Sequence, residues 1–522
     1  MNRRDLLVGT GMLGMTAMSS VSGVASNRAG SRKIKEFPFT LGVASGDPWP
    51  DGFVIWTRLA PRPLEPSFGL DPVPLAVEWE VATDPTLRRD RVTGIAMATP
   101  ELGHSVHVEM TGLKPATRYW YRFTAAGHRS ATGTVVTAPV LMSDVASLRI
   151  GVAGCQNYEH GFFTAYRYMA EAQLDAIFHY GDYIYEAKQG RRTEVPVVRE
   201  HIGEEPTDLA GYRLRYALYK SDPDLQAAHS STAFLTTFDD HELDNNWASD
   251  RDENGSDPAV FMLRRAAAMQ AWYENMPVRA AQKPVAANLL MHRRLDFGKL
   301  LRVHLLDTRQ YRDDQVCTSP KAQHCRSIET LQTGSIMGDT QHRWLEEGLD
   351  NRYAWNLMAQ QVVVMPFRRP GGPTDDAQVA ADSWSGYPES RRRLVQAIRR
   401  KNISEAIIAT GDVHQNIVGY VPELDEEPDR NQAAVEFVCT SISSLGDGKD
   451  IKIRGPDFRK IIARNPNVLF ANGQRGFHVF EVNDRLWTTH IYKVDRVSRP
   501  GGLLSRLAGF TVEKGSPLAI PS

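Results

Sequence analysis

Asp175-Ala-Ile-Phe-His-Tyr180 is a short apolar run, and Gly181-Asp-Tyr-Ile-Tyr-Glu186 follows it with two carboxylates and two phenols. The run reads as a strand, with a preceding helical stretch over 163–173. The same arrangement recurs. Leu148-Arg-Ile-Gly-Val-Ala-Gly154 ends in Cys155-Gln-Asn157. Phe234-Leu-Thr-Thr-Phe238 ends in Asp239-Asp-His-Glu242, with Asn245 and Asn246 close behind. Glu405-Ala-Ile-Ile-Ala-Thr410 ends in Gly411-Asp-Val-His414. Helical stretches at 257–274, 340–349 and 389–400 alternate with these runs. Two more runs, Leu300-Leu-Arg-Val-His-Leu-Leu306 and Gln361-Val-Val-Val-Met365, read as further strands. Such alternation predicts a layered α/β domain. Gly476-Phe-His-Val-Phe-Glu-Val482 and Leu486-Trp-Thr-Thr-His-Ile-Tyr492 read as a terminal hairpin. The Gly- and Pro-rich residues 498–522 read as a loosely held tail.

Upstream the pattern differs. Residues 38–140 hold short alternating runs, among them Gly52-Phe-Val-Ile-Trp-Thr57, Ala76-Val-Glu-Trp-Glu-Val81 and Arg118-Tyr-Trp-Tyr-Arg-Phe123. Pro and Gly turns separate them, which predicts a β-sandwich. Leu113-Lys-Pro-Ala-Thr-Arg-Tyr119 resembles the strand approach of fibronectin type III domains, so Tyr119 is expected to anchor a corner. Before the sandwich, Arg3 and Arg4 precede an apolar stretch reaching about residue 24, with small residues at Gly23 and Ala25. That reads as an export signal over 1–26, of the twin-arginine kind in preference to an ordinary Sec signal that carries two arginines, and the stretch is short for a membrane anchor. The 522 residues suit more than one core, and 61 basic against 62 acidic side chains leave no field aimed at nucleic acid or an anionic membrane. In an exported chain Cys317 and Cys325, close together in a polar loop, are the expected disulfide, and Cys439 in an apolar run is expected as a buried thiol.

Ligands in open α/β domains gather at the carboxyl ends of strands. Each strand end taken alone has an ordinary structural reading: a Gly-Asp pair makes a turn or cap, and a single His sits satisfied in a core. Four such ends together concentrate charge and thiol at the mouth of an apolar core, which is costly unless a cation compensates it. Thiolate and phenolate beside carboxylate and imidazole suit Fe(III), whereas Asp240, Asp412 and Asn245 or Asn246 suit calcium. Adjacent sites bridged by Asp182 would form the clamp used in phosphoryl transfer. Arg215 reads either as a phosphate-binding fork or as a helix surface charge, and Arg309 either as a phosphate ligand or as a partner of Asp307. Arg391-Arg-Arg393 reads as a solvated helix face.

These motifs, together with Ser45-Gly-Asp-Pro48, Asp307-Thr-Arg-Gln-Tyr311, Asp382-Ser-Trp-Ser-Gly-Tyr387 and Thr440-Ser-Ile-Ser-Ser444, occur in an order that resembles the alkaline phosphatase D family of metallophosphoesterases over nearly the whole chain. The resemblance implies a calcineurin-like α/β sandwich over 147–497, preceded by the fibronectin/Ig-like all-β domain. It implies Fe(III) held by Cys155, Asp182, Tyr185 and His414. A calcium ion (Ca2+) would be held by Asp182, Asp240 and Asp412, with Asn245 or Asn246, and a second calcium has Asp382 as its candidate ligand. His241 would protonate the leaving alkoxide. The expected reaction is hydrolysis of a small-molecule or lipid phosphate ester by metal-activated hydroxide, in an exported monomer with no stable membrane span. The rival readings are a calcium-dependent phosphodiesterase of the phospholipase D type and an inactive exported binding protein. No G-x-S-x-G elbow and no P-loop offers another route.

Overall fold

The computed structural model describes residues 34–188, 195–317, 325–368, 380–448 and 458–522. The paired arginines and the export signal expected over 1–26 lie outside the described residues.

Two large sheets form the centre. In the first, ten strands follow the order Ala519–Pro521, Leu504–Glu513, Leu486–Val494, Gly476–Val482, Leu148–Ala153, Ala176–His179, Ala233–Thr236, Val43–Trp49, Gly52–Arg58 and Ser105–Glu109. The second has seven, in the order Arg293–Phe297, Leu301–Leu305, Trp355–Ala359, Ala406–Thr410, Gln432–Val438, Asn416–Pro422 and Val468–Asn472. Alternate side chains explain why the sheets stack. Phe178 and Leu235 of the first sheet meet Leu357, Ile407 and Phe437 of the second in one buried cluster. Their strand neighbours Ile177 and Phe234 point the other way, into a cluster with Trp272 and Met269 of the helix Pro258–Asn275. On the far side Met358 and Ile408 pack with Leu394 and Ile398 of the helix Pro388–Arg400. The result is helix, sheet, sheet, helix, in which the central strands are apolar on both faces.

The strand ends that carry the polar motifs are aligned by parallel pairing. Ala153, His179 and Thr236 are consecutive partners across three parallel strands, so Cys155, Asp182 and Asp239 leave the same edge. In the second sheet Thr410 pairs in parallel with Val438, and Asp412 leaves that strand two residues on. Gly154 and Gly411 close over one ring: a Cβ at either would meet Tyr180 at 2.4 and 2.1 Å. Both positions therefore require glycine, and the Tyr180 ring sets how near the Cys155 and Asp412 strand ends approach.

Four expectations change. The β region is a sandwich, but it is not a separate unit. Val43–Trp49 pairs in parallel with Ala233–Thr236 through Ser45↔Ala233 and Gly46↔Phe234, so half of the sandwich continues the ten-stranded sheet. Arg293 locks the joint with two hydrogen bonds to Asp47 Oδ1, at 3.0 and 2.8 Å. The facing five-stranded sheet closes a core around Val77, Tyr121 and Val135. At its corner the Lys114 N–H donates to Tyr119 Oη at 2.9 Å, the anchoring role expected for that tyrosine.

The Gly-rich residues after 497 are only a turn; Leu504–Glu513 and Ala519–Pro521 then extend the first sheet, burying Phe510 and Val512. Gln361-Val-Val-Val-Met365 is a buried loop rather than a strand. Its Val364 and Met365 amides donate to the Glu436 carboxylate at 2.8 and 2.6 Å, which replaces the ladder a strand would need. Arg391 is likewise buried, donating to Trp384 O and Asp425 instead of facing solvent. Cys317 and Cys325 are bonded as a disulfide, and Cys439 is a buried free thiol.

Candidate metal centre

At the shared edge of the two sheets, three groups of ligand atoms each lie within 4.8 Å of one another: Cys155, Asp182 and His414; Asp182, Asp240 and His241; Asp239, Asp240 and Asp412. Asp182 belongs to the first two groups and Asp240 to the last two, so the groups form a continuous chain. Tyr185 completes the first: its Oη donates to Asp182 Oδ2 at 2.7 Å and lies 3.0 Å from His414 Nε2. The first group thus carries thiol, phenol, imidazole and carboxyl, and the last carries oxygen alone. They border a cavity of about 280 Å³ whose wall is Asp182, Asp240, Asp382, Asp412, His241 and His414 with Asn245, Asn246 and Val413.

Backbone strain accompanies this convergence. Cys155, Asp182, Asp412 and His414 all have positive φ, at 51°, 55°, 65° and 57°. The left-handed region costs a non-glycine residue roughly 1 kcal/mol or more, and it persists where surrounding contacts impose it. Glu242 imposes it on one loop by accepting the amides of Asp182, Tyr183 and Asp239 at 3.1, 2.7 and 2.9 Å.

A PhoD-like phosphatase profile matches residues 150–491, and that of the PhoD-like phosphatase N-terminal domain matches residues 23–139. The chain belongs to the PhoD-like phosphatase family. It is 38% identical to alkaline phosphatase D of Bacillus subtilis (strain 168), over 98% of this chain and 88% of that one. A solved structure of PhoD superposes with a TM-score of 0.87 at 38% identity, covering 93% of this chain and 92% of that one. The purple acid phosphatase PPD1 from yellow lupin (Lupinus luteus) seeds shares the fold at a TM-score of 0.55 and 12% identity, covering 92% of this chain and 74% of that one. The protein is a phosphoric ester hydrolase of this family.

In this PhoD-like site the donor set fits cations. Asp182 Oδ1 and Asp239 Oδ2 are buried without a hydrogen-bond partner among the described residues, which is costly for a carboxylate. Burial, then neighbouring carboxylates, push Asp412 well above the usual carboxylate range. Burial also leads in raising Asp182 and Asp239; His241 relieves the first and Arg309 the second, while Asp240 adds repulsion to both. A raised native pKa means that the folded metal-free chain binds more protons than the unfolded one. Its stability therefore falls as pH rises from the ordinary carboxylate range upward, and bound cations remove that penalty. Chelated protein is expected to melt at progressively lower temperature from pH 5 to pH 8, while the gain on adding metal back grows over the same interval. A pH-independent gain would contradict this electrostatic account.

Two sequence expectations do not survive the geometry. Arg215 is buried, with its fork turned to backbone: Nη1 donates to the carbonyls of Tyr185 and Ala187, and Nη2 to that of Glu204 at 3.2 Å. It is neither a surface charge nor on the cavity wall; it pins the loop that carries Tyr185. Arg309 does not pair its guanidinium with Asp307, which instead accepts the Arg309 N–H. Its Nε donates to Asp239 at 2.6 Å, and its two Nη atoms grip Asp382 at 2.7 and 3.0 Å. Fully buried, it bridges two carboxylates and does not line the cavity.

The remaining expected residues sit as follows. Asp382 reaches the cavity while held by Arg309, by Arg312 at 2.9 Å and by Gln315 at 2.9 Å. Burial would raise its carboxyl, but the two arginines hold it below the usual range. Asn245 lines the cavity with its amide nitrogen tied to Glu253 at 2.6 Å, and Asn246 lines it with its N–H donated to Asp240 at 2.8 Å. His241 has Nδ1 2.7 Å from Glu186 Oε2, and its ring stacks on Tyr185 at 4.1 Å. Sequence reasoning missed Glu186, Glu242 and the ligand potential of Asp239, though all three lie inside the quoted motifs.

Proposed function

We propose that this chain is an exported alkaline phosphatase or phosphodiesterase that hydrolyses phosphate esters at an iron–calcium centre. The observation that carries the reading is the pairing of a thiol–phenol–imidazole–carboxyl group with an oxygen-only group through shared aspartates. Cys155, Asp182, Tyr185 and His414 would hold Fe(III). Asp182, Asp240 and Asp412, with Asn245 or Asn246, would hold calcium, and Asp382 is the candidate ligand for a second calcium. When bound, the cations supply a lowered pKa for water and neutralise charge on phosphoryl oxygens. His241 donates the proton to the leaving oxygen from Nε2, because Glu186 holds Nδ1. The arginine pair at residues 3 and 4 supports export through the twin-arginine machinery.

One observation favours diesters over monoesters. Among the described residues the cavity wall contains no lysine or arginine. A monoester carries nearly two negative charges at alkaline pH and a diester one, so a wall without added cations suits the diester. Purified protein should contain iron and calcium by elemental analysis and lose activity on chelation. It should cleave a chromogenic diester or phosphatidylcholine faster than the matching monoester. Exclusive monoester cleavage would reverse the preference, and active protein free of both metals would overturn the centre. His241→Ala is expected to slow alkyl esters by about 10²-fold or more and nitrophenyl esters far less, since a good leaving group needs no proton. Equal slowing of both would remove His241 as the acid.

A further inference from the structure

Arg475, just before the strand Gly476–Val482, is buried and has no carboxylate partner among the described residues. Arg309 and Arg312 differ in that both grip Asp382, whereas Arg215, like Arg475, is turned to backbone carbonyls. Arg475 Nη1 donates to the Ser444 carbonyl at 2.7 Å and to Ser441 Oγ, and Nη2 donates to the Gly473 carbonyl. Its Nε has no partner among the described residues. A guanidinium without a counter-ion in a protein interior is expensive, so a nearby negative charge is the natural complement.

The anions nearest in connectivity are the ligands of the thiol–phenol group. The Ser444 hydroxyl lies 2.7 Å from Tyr185 Oη and 2.7 Å from the Cys155 carbonyl, and the Ser444 N–H donates to that carbonyl at 3.2 Å. The Ile442 N–H donates to the Gly154 carbonyl at 3.0 Å. The segment 440–444 is thus stapled to the strand end that carries Cys155, and Arg475 is stapled to the back of it. One serine separates the guanidinium from the phenol oxygen. Burial pushes the Arg475 guanidinium below its ordinary value, and Tyr180, Cys155 and Tyr185 would oppose that once ionised.

We propose that Arg475, acting through Ser444, is a positioning residue that serves as the buried counter-charge of the Cys155 thiolate and Tyr185 phenolate and so sets how strongly these two ligands donate to their metal. This rests on the metal assignment made above for Cys155 and Tyr185. A cation placed behind a ligand stabilises the ligand electrons more than those of the metal in front. Removing it makes the ligand a stronger donor.

Visible charge-transfer spectra of folded, metal-loaded protein test this, with Arg475→Met, Arg475→Lys and Ser444→Ala compared with the parent. Arg475→Met and Ser444→Ala should move the band to longer wavelength and lower the reduction potential of the metal, whereas Arg475→Lys should stay near the parent. If Arg475→Met does not fold, Arg475→Gln, which removes the charge and keeps a donor for the Ser444 carbonyl, takes its place: a shift like that expected for Arg475→Met supports the proposal and an unmoved band overturns it. The same variants reconstituted with cobalt(II), whose thiolate band reports on Cys155 whatever the native metal is, give a second reading. A parent without iron that still shows the cobalt shifts would refute the iron assignment and support Arg475. Unmoved bands in folded Ser444→Ala and Arg475→Met, with either metal, would overturn the proposal.

Discussion

Asp182→Asn is expected to empty both halves of the centre and to lower turnover by about three orders of magnitude, taking the lost cation assistance as roughly 4 kcal/mol. Asp182 is the one residue common to the thiol-bearing group and the group containing His241. Its Oδ2 receives the Tyr185 hydroxyl and its Oδ1 has no protein partner, so the carboxylate faces only what the site is built to hold. Asparagine is the informative substitution. It tolerates the left-handed φ of 55° better than alanine does, so the loop keeps its shape while the charge disappears. The same change should raise the melting temperature of the metal-free protein, because it removes one member of a set of mutually repelling carboxylates. Loss of metal and activity together with a more stable metal-free fold is a signature that simple misfolding cannot produce. Elemental analysis and calorimetry read both; full metal content with normal turnover would sink the bridging role.

Arg309→Met should destabilise the metal-free protein by about 3 to 5 kcal/mol, the usual cost of breaking a buried ion pair from one side. Asp239 and Asp382 lose their fork, and Asp240, whose Oδ2 lies 3.8 Å from Arg309 Nη2, loses a nearby cation. Added metal should recover part of the loss by supplying replacement charge. A denaturation midpoint with and without metal measures this. A strut and a phosphate clamp are separable here. If Arg309 gripped substrate, the substitution would raise KM several-fold and leave the denaturation midpoint unchanged, and that outcome would restore the sequence reading.

These two residues show where local sequence stops being informative. Asp182 stands out in one dimension because it follows an apolar strand and a glycine. Arg309 also stands out, but its partner Asp239 lies 70 residues away and belongs to the other sheet. Residue order suggested Asp307, two positions off, and the fold turned that carboxylate to the backbone instead. Arg215 failed for the same reason. A charged residue on a helix is read from the helix alone as solvated, yet this one is buried under the loop that it holds.

The residues after 497 teach a related lesson. Glycine and proline at 500–502 signal a break, and they do turn the chain, but the alternation of Leu504–Glu513 finds a free sheet edge that no one-dimensional pattern announces. The joint at Val43–Trp49 is similar: Ser45-Gly-Asp-Pro48 stood out only as a motif, and its strand's parallel partner at 233–236 is fixed only by packing.

The sequence by itself therefore determined the chemistry. Which side chains end the apolar strands is set by covalent order, and the ordered motifs identify a metal-dependent phosphoesterase with its thiol, phenol, carboxyl and imidazole groups named. The tertiary structure decided which of those groups share a point in space, that Asp182 and Asp240 are held in common, and that Arg309, Arg215 and Arg475 are buried off the cavity wall. The physical reason is that ligand type is a local property of the chain. Charge compensation depends on distances between segments far apart in sequence, and parallel pairing of two stacked sheets is what sets those distances.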